Sequence, residues 1–166
     1  GFCLVGSEMC IRDRVYSYVN KMIVYYLGEQ PILNQVETYL CHEKIQRDYV
    51  IDNISKLVVK PANASGGYGI MIGPKAPLKE RQEVINKIKK NPREFIAQPL
   101  EILSTAPTIT ENDIEPRHLD LRPFVLSGKT SYVTTGGLTR VALRKGSTIV
   151  NSSQGGGSKD TLIVDM

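Results

Sequence analysis

Apolar residues in the first part of the chain recur at the spacings of helices and short strands. The helical spacing of i, i+3, i+4 and i+7 runs through residues 15–27, and Gly28 ends it. Similar spacing predicts helices over residues 42–55 and 78–90. Short apolar runs predict strands over residues 37–41, 57–59, 69–72 and 95–98. We expect the strands at 57–59 and 69–72 to pair as a hairpin.

After Pro99 the pattern changes to short apolar runs separated by glycines and polar residues. Residues 104–115 are predominantly polar and are predicted to form a loop. The apolar runs that follow cover residues 119–126, 129–133, 138–143 and 148–150, and a glycine-rich loop is predicted over residues 151–160. Short strands at this spacing with glycine turns predict an antiparallel meander. The sequence therefore predicts a helix-and-hairpin lobe followed by a strand-rich lobe, with the change near residue 99.

Composition narrows the class of protein. The 166 residues include 21 basic and 17 acidic side chains, and the net charge of +4 is spread along the chain. This balance does not indicate a nucleic-acid partner, and no apolar run approaches the roughly 18 to 20 residues that span a bilayer. The cysteines Cys3, Cys10 and Cys41 lack the spacing of a disulfide framework or a zinc site. We therefore expect a cytoplasmic protein that does not enter a membrane.

The first fourteen residues, GFCLVGSEMCIRDR, have no helical or strand period and no signal-peptide pattern. From Cys3 onward they resemble a sequencing-library adapter translated in one reading frame. We interpret residues 1–14 as this artefact instead of a genuine N-terminal segment, and residues 15–166 as a piece of a longer domain that begins further upstream.

Residues 57–73, LVVKPANASGGYGIMIG, place Lys60 at the end of a predicted strand and before a glycine-rich loop. The stretch lacks the GxxxxGK[ST] pattern of a P-loop and the GxGxxG pattern of a dinucleotide site. Glycines allow main-chain N–H groups to approach an anion, and a lysine can neutralise a phosphate. By itself the stretch fits either a phosphate-binding hairpin or a plain hairpin with an exposed lysine.

Charged residues also occur inside the apolar strands of the second lobe. Asp120 and Arg122 lie two positions apart and so share a strand face, and Arg140 lies within GGLTRVAL. Because an unpartnered guanidinium is costly to bury, each arginine should meet a carboxylate, a phosphate or solvent.

Five motifs occur in order along the chain: KPANASGGYGIMIG, FIAQPLE, PRHLDLRPFVL, GGLTRVALRKGS and VNSSQGGGSKD. Together they resemble the circularly permuted ATP-grasp proteins of type 2, over nearly all of residues 16–164. The resemblance implies an α+β, ATP-grasp fold, of which this chain holds part, with two lobes that bind ATP. It also implies a ligase that joins a carboxylate and an amine, from small molecules or peptides, through an acyl phosphate.

The resemblance also implies roles for individual residues. Lys60 would hold an ATP phosphate, and a flexible lid over the phosphates would contain Ser65, Gly66, Gly67 and Gly69. Gln98 and Leu100 would offer backbone groups to adenine. Arg122 and Arg140 would face the triphosphate or the acyl phosphate, with Asp120 orienting Arg122 or approaching the metal. The substrate end would be closed by Asn151 and residues 155–157, and Lys159 would add a cation. The alternative, that some of these residues only brace the sheet, applies most to Asp120 and Lys159.

Magnesium is the metal that the resemblance implies, alongside ATP. Circular permutation moves the segment with the magnesium-binding Glu and Asn to the front of the chain, which we expect to be missing here, so the metal ligands are not assigned and the chain alone is expected to be inactive. Two alternatives remain for the whole protein, a nucleotide-binding module without ligase activity and an ATP-dependent phosphotransferase.

Overall fold

The computed structural model describes residues 13–62, 69–111, 113–147, 150 and 156–162. The chain forms two compact units, and the boundary between them falls after Leu100. In the described residues, helices and one four-stranded antiparallel sheet form the first unit, and a second four-stranded antiparallel sheet forms the second. This arrangement confirms the predicted α+β class.

The first unit begins with a helical segment that is more broken than predicted. Helix α1 (Asp13–Tyr16) and helix α2 (Val19–Met22) are separated by a turn, and α2 continues as a π-helix (Ile23–Leu27). The prediction of one continuous helix over residues 15–27 is therefore wrong. Ser17 and several β-branched residues lower the helix propensity of this stretch. Gly28 ends the segment as predicted, with a φ of 67°.

Helices α3 (Lys44–Asp52) and α4 (Leu78–Lys90) follow, and a 3-10 helix (Pro92–Glu94) comes after α4. Helix α4 has the bounds that the apolar spacing predicts, whereas α3 is shorter than the predicted 42–55. The lysines in the last turn of α4 lie where the helix dipole favours positive charge.

The sheet of the first unit contains β1 (Tyr39–Leu40), β2 (Leu57–Pro61), β3 (Met71–Ile72) and β4 (Phe95–Pro99), in the order β1-β4-β2-β3. Strands β2 and β3 pair with Val58 opposite Ile72 and Val59 opposite Met71, which confirms the predicted hairpin. Strand β4 lies between β1 and β2 and pairs with both.

The core of the first unit lies between this sheet and the helices. Its buried side chains come from both layers: Cys41, Val50, Ile54, Leu57, Val59, Met71, Ala76, Ile88 and Ala97. Burial raises the pKa of the Cys41 thiol to about 11, although the charge of Arg47 opposes this effect. Cys41 is therefore a packing residue and not an activated nucleophile.

The second unit is a meander of β5 (Thr105–Ile109), β6 (Ile114–Ser127), β7 (Ser131–Ala142) and β8 (Gly156–Leu162). Each strand pairs antiparallel with the next one along the chain, in the order β5-β6-β7-β8. The predicted antiparallel meander is confirmed.

Three predicted loops or turns in this unit are strands instead. Strand β5 lies within the predicted loop 104–115. Among the described strands it pairs only with β6, so it is an edge strand, where a proline without a backbone N–H is tolerated. Gly136 and Gly137 lie inside β7. A Cβ on Gly137 would lie 3.0 Å from the Arg122 carbonyl oxygen, which favours glycine at this position of the strand. Strand β8 begins within the predicted loop 151–160 and extends to Leu162, and backbone pairing to β7 outweighs its poor strand propensity. Residues 151–155 lie outside the described residues.

Among the described helices, none is both long enough and apolar enough to span a bilayer.

The Ile88→Ala variant tests the core of the first unit. Ile88 is 0% exposed within the cluster that joins α4 to the sheet, so truncation should lower the free energy of unfolding by about 2 to 5 kcal/mol. Leu78→Ala, at a position of the same helix that is 81% exposed, should change it by less than about 0.5 kcal/mol. Urea denaturation of the two variants measures the difference, and equal effects would contradict the assigned packing.

Candidate functional site

Lys60 lies near the end of β2 and contacts a buried amide. Its Nζ donates a hydrogen bond of 2.7 Å to the Oε1 atom of Gln98 on β4. Gln98 lies opposite Val58, so Lys60 is two residues further along β2 and shares the same sheet face. The strand register therefore brings these two side chains together.

The hydrogen bonds continue beyond Gln98. Its Nε2 donates to the Oγ1 atom of Thr38 at 2.8 Å, and Thr38 Oγ1 donates to the carbonyl oxygen of Val36 at 3.0 Å. The backbone N–H of Val36 donates to the hydroxyl of Tyr16 at 3.0 Å. The Lys60 amine is thus attached to a continuous polar chain, which we call the Lys60 chain (Tyr16, Val36, Thr38, Gln98 and Lys60).

The predicted phosphate lid falls mainly outside the described residues. Ser65, Gly66 and Gly67 belong to residues 63–68, which the structure does not describe. Gly69 is described and has a φ of 73°, and a Cβ there would lie 3.0 Å from the Cγ atom of Pro61. Both observations explain a glycine at this position, because the backbone is left-handed and passes close to β2.

Leu100 follows β4 directly, is half-buried and is the last residue of the first unit. The adenine contacts expected of the Gln98 and Leu100 backbones stay predictions. The sequence did not indicate that the Gln98 side chain would contact Lys60.

In the second unit, Asp120 and Arg140 lie directly opposite each other on β6 and β7. Arg140 Nε lies 2.9 Å from Oδ1 and 3.1 Å from Oδ2 of Asp120, and its Nη2 also donates to Oδ2. Arg122 Nε is 4.0 Å from the same carboxylate. The expectation that a strand arginine meets a carboxylate is thus confirmed for Arg140, which contacts Asp120 more closely than Arg122 does.

The ionisation of Asp120 follows from these contacts. Burial alone would raise the pKa of its carboxyl group, but the hydrogen bonds and charge of Arg140, together with the charge of Arg122, lower it overall. Asp120 is therefore ionised at neutral pH and holds the Arg140 guanidinium in a fixed orientation.

Two further polar residues belong to this face of the second sheet. Ser158 of β8 lies opposite Arg140 of β7. Asp160 of β8 lies opposite Leu138 of β7, and Leu138 lies opposite Arg122 of β6 on its other side. Directly paired residues share a sheet face, so Ser158 and Asp160 join Asp120, Arg122 and Arg140 there. We call these five residues the β6–β8 polar face.

Sequence reasoning missed Ser158 and Asp160 because it placed both in a loop. The stretch GGGSKD has no alternation of apolar and polar residues, so no local signal marks these two residues as part of a strand. Lys159 points to the opposite face, pairs across from Thr139 and donates a hydrogen bond to the carbonyl oxygen of Pro107.

The remaining residues of the predicted substrate end are only partly described. Asn151 and Gly155 lie outside the described residues, whereas Gly156 and Gly157 pair with Ala142 and Val141. Among the predicted site residues that the structure describes, Lys60 with Gln98 and Asp120 with Arg122 and Arg140 thus form two polar groups, one in each unit.

The described part of the chain assigns no ligands to magnesium. Within the described ranges, His, Cys, Asp and Glu do not form any group of three or more that could hold a metal ion. The Asp120 oxygens already accept hydrogen bonds from Arg140. The described residues therefore do not provide a set of magnesium ligands.

An Asp120→Asn variant tests the ion pair through the pH dependence of stability. The folded-state pKa of Asp120 is lowered, so its stabilising effect is present above the unfolded pKa of about 3.9 and is lost as the pH falls through the folded value. At pH 7 the wild type should be more stable than the variant by about 1 kcal/mol, because the pair is partly exposed. Urea denaturation from pH 7 to pH 3 should show this gap narrowing below about pH 4, and a constant gap would contradict the pairing.

Most of the chain is similar in sequence to a known protein family and to several curated proteins. The family model for circularly permuted ATP-grasp type 2 matches residues 3–142. The match includes residues 3–14, so the interpretation of that segment as an adapter artefact stays a prediction.

Several curated proteins are similar to the chain. It is 54% identical over 160 residues to an uncharacterized protein of Synechocystis sp., covering 96% of this chain and 33% of that protein. It is 53% identical over 161 residues to an uncharacterized protein of Mycobacterium tuberculosis strain H37Rv, with coverages of 96% and 29%. A protein of Frankia casuarinae named "Putative glutamate--cysteine ligase 2-2" is 51% identical over 149 residues, with coverages of 90% and 17%.

The chain thus spans a third or less of the length of these relatives. The family match covers well over half of the chain, and the two antiparallel sheets agree with the predicted fold. The chain belongs to the circularly permuted ATP-grasp type 2 family.

Proposed function

We propose that the chain forms the ATP-binding portion of an ATP-dependent ligase that joins a carboxylate to an amine through an acyl phosphate. The observation that carries this proposal is the position of Lys60 near the end of β2, where its amine donates a hydrogen bond to the buried side-chain amide of Gln98. Membership of the ATP-grasp family and the ligase name of the Frankia relative support the reaction class.

Lys60 has the properties that a phosphate contact requires. Its half-buried side chain ends beside the glutamine oxygen, which accepts a hydrogen bond and carries no formal charge. Lys60 lies in the strand that leads into the segment containing Gly69. A cation held in this way would bind a phosphate of ATP.

The β6–β8 polar face would act on the charges that change during phosphoryl transfer. Arg140 is fixed by Asp120, whereas the Arg122 side chain is 44% exposed and lies at the limit of ion-pair distance from Asp120. Arg122 would bind a phosphate or substrate carboxylate, and Arg140 would keep Asp120 from repelling that anion. Catalysis of phosphoryl transfer depends mainly on such positioning and charge stabilisation.

The substrates are proposed only as classes, a small-molecule or peptide carboxylate and an amine. The Frankia relative's name points to glutamate and cysteine, but the chain matches only 17% of that protein. ATP would supply the phosphoryl group, and magnesium would neutralise its phosphates when bound. We assign no residue of this chain to the metal.

The Lys60→Ala variant tests the proposed ATP contact. Loss of a charge-assisted hydrogen bond costs about 1.5 to 3 kcal/mol, so the dissociation constant for ATP should rise roughly 10- to 150-fold. Isothermal titration calorimetry measures this change. Lys56→Ala, at an exposed lysine before the other end of β2, is the matched control and should bind ATP like the wild type. Equal affinity of the wild type and Lys60→Ala would refute the assignment of Lys60.

Product analysis of the whole protein, of which this chain is a part, separates the ligase from the two alternatives. A ligase converts ATP, a carboxylate and an amine into the condensed product, ADP and phosphate, and its phosphorylated carboxylate does not accumulate. ATP binding without ADP release for any substrate pair would favour a nucleotide-binding module. A stable phosphorylated product without condensation would favour a phosphotransferase.

A further inference from the structure

We propose that Thr38 and Gln98 are positioning residues, which together hold the Lys60 amine in the orientation that binds phosphate. The inference rests on the proposed function, because the role of Lys60 does. It is carried by the order of donors and acceptors along the Lys60 chain.

The Lys60 amine constrains what can lie beside it. A lysine ammonium donates hydrogen bonds and accepts none, so only an acceptor can face it. A glutamine amide has an acceptor at one end and a donor at the other, and a half-turn of its terminal torsion exchanges them. Contact with Lys60 therefore requires that the Gln98 oxygen, and not its nitrogen, point toward β2, as the 2.7 Å bond shows.

Thr38 selects this orientation of the Gln98 amide. Its single hydroxyl hydrogen is donated to the Val36 carbonyl oxygen at 3.0 Å, so toward Gln98 the hydroxyl presents lone pairs. The Thr38 hydroxyl oxygen therefore accepts the hydrogen bond that Gln98 Nε2 donates, at 2.8 Å. If the amide were turned over, its NH2 group would face the ammonium and that contact would be lost. Its oxygen would face the Thr38 hydroxyl, which could donate to it only by giving up the bond to Val36.

Burial makes the orientation costly to change. Gln98 is only 8% exposed, so water has little access to satisfy a turned amide. A buried polar group that loses its partner is penalised by about 1 to 3 kcal/mol. Val36 is itself held by its N–H bond to Tyr16, so the acceptor that orients Thr38 is fixed as well.

Fixing the amine should improve phosphate binding through entropy. A lysine side chain has a flexible four-carbon stem, and ordering it upon binding reduces affinity. When Gln98 already holds the amine in place, part of that ordering precedes nucleotide binding. Thr38 thereby affects ATP affinity without contacting ATP.

The experiment combines Thr38→Val, which removes the hydroxyl at nearly constant shape, with Thr38→Ser, which keeps it. Each is prepared in the wild-type chain and in Lys60→Ala, and ATP dissociation constants are measured by calorimetry. Thr38→Val should weaken ATP binding by about two- to tenfold in the wild type, the effect of one hydrogen bond, and Thr38→Ser should bind as tightly as the wild type. In Lys60→Ala, Thr38→Val should have no further effect, because both changes act through one amine.

A purely structural role for Thr38 would give the same fold-loss in both backgrounds, and that result would overturn the inference. Wild-type affinity in Thr38→Val would overturn it too. Gln98→Leu provides a second variant: it should weaken ATP binding in the wild type but not in Lys60→Ala.

Hydrogen exchange in the nucleotide-free protein keeps this inference separate from the proposed function. By NMR, the Gln98 side-chain amide should exchange slowly in the wild type and in Thr38→Ser, and faster in Thr38→Val. Equal exchange in all three would refute the orienting role of Thr38. A different outcome would refute only the proposed function of Lys60: equal ATP affinity for the wild type and Lys60→Ala. If the Gln98 amide still exchanged slowly and depended on Thr38, the amide orientation would be upheld.

Discussion

The antiparallel register of β4 with its two neighbours is the constraint on which the first unit depends. Strand β4 pairs with β1 on one side and β2 on the other, and its middle residues Ile96, Ala97 and Gln98 are all buried. A slip of one residue would turn Ala97 out of the core and bring Gln98 into it without its partners. The same register that completes the core thus places Gln98 between Thr38 and Lys60, so core packing and site geometry are set together.

Strand β7 has the corresponding role in the second unit, because it pairs with both β6 and β8. Its register places Arg140 directly across from Asp120 on one side and from Ser158 on the other. A pair of opposite charges at directly opposed positions is favourable in a sheet, whereas either charge left alone there would be costly. Since the pair is only partly buried, its main consequence is a fixed direction for the guanidinium and only a small gain in stability.

The sequence predicts those elements whose local pattern agrees with their surroundings. Helix α4 combines strong helical spacing, good helix formers and a stop at Asn91, so its bounds follow from the sequence. Strands β5 and β8 could not be predicted, because their proline and glycines argue against strands and only pairing with distant segments makes them extended. The candidate site divides in the same way. Lys60 and the charged residues Asp120, Arg122 and Arg140 stand out in the sequence, but the pairing of Lys60 with Gln98 depends on register, which no local pattern encodes.

The hydrogen bonds of the Lys60 chain have a consequence for charge distribution. From the amine to Val36, each group accepts from the previous one and donates to the next, so the bond dipoles align and polarise one another. The Gln98 oxygen therefore carries more partial negative charge than the oxygen of an isolated amide. A carboxylate at this position would cancel the ammonium charge and its long-range field. The polarised neutral amide attracts the ammonium strongly at short range and adds no formal negative charge beside it.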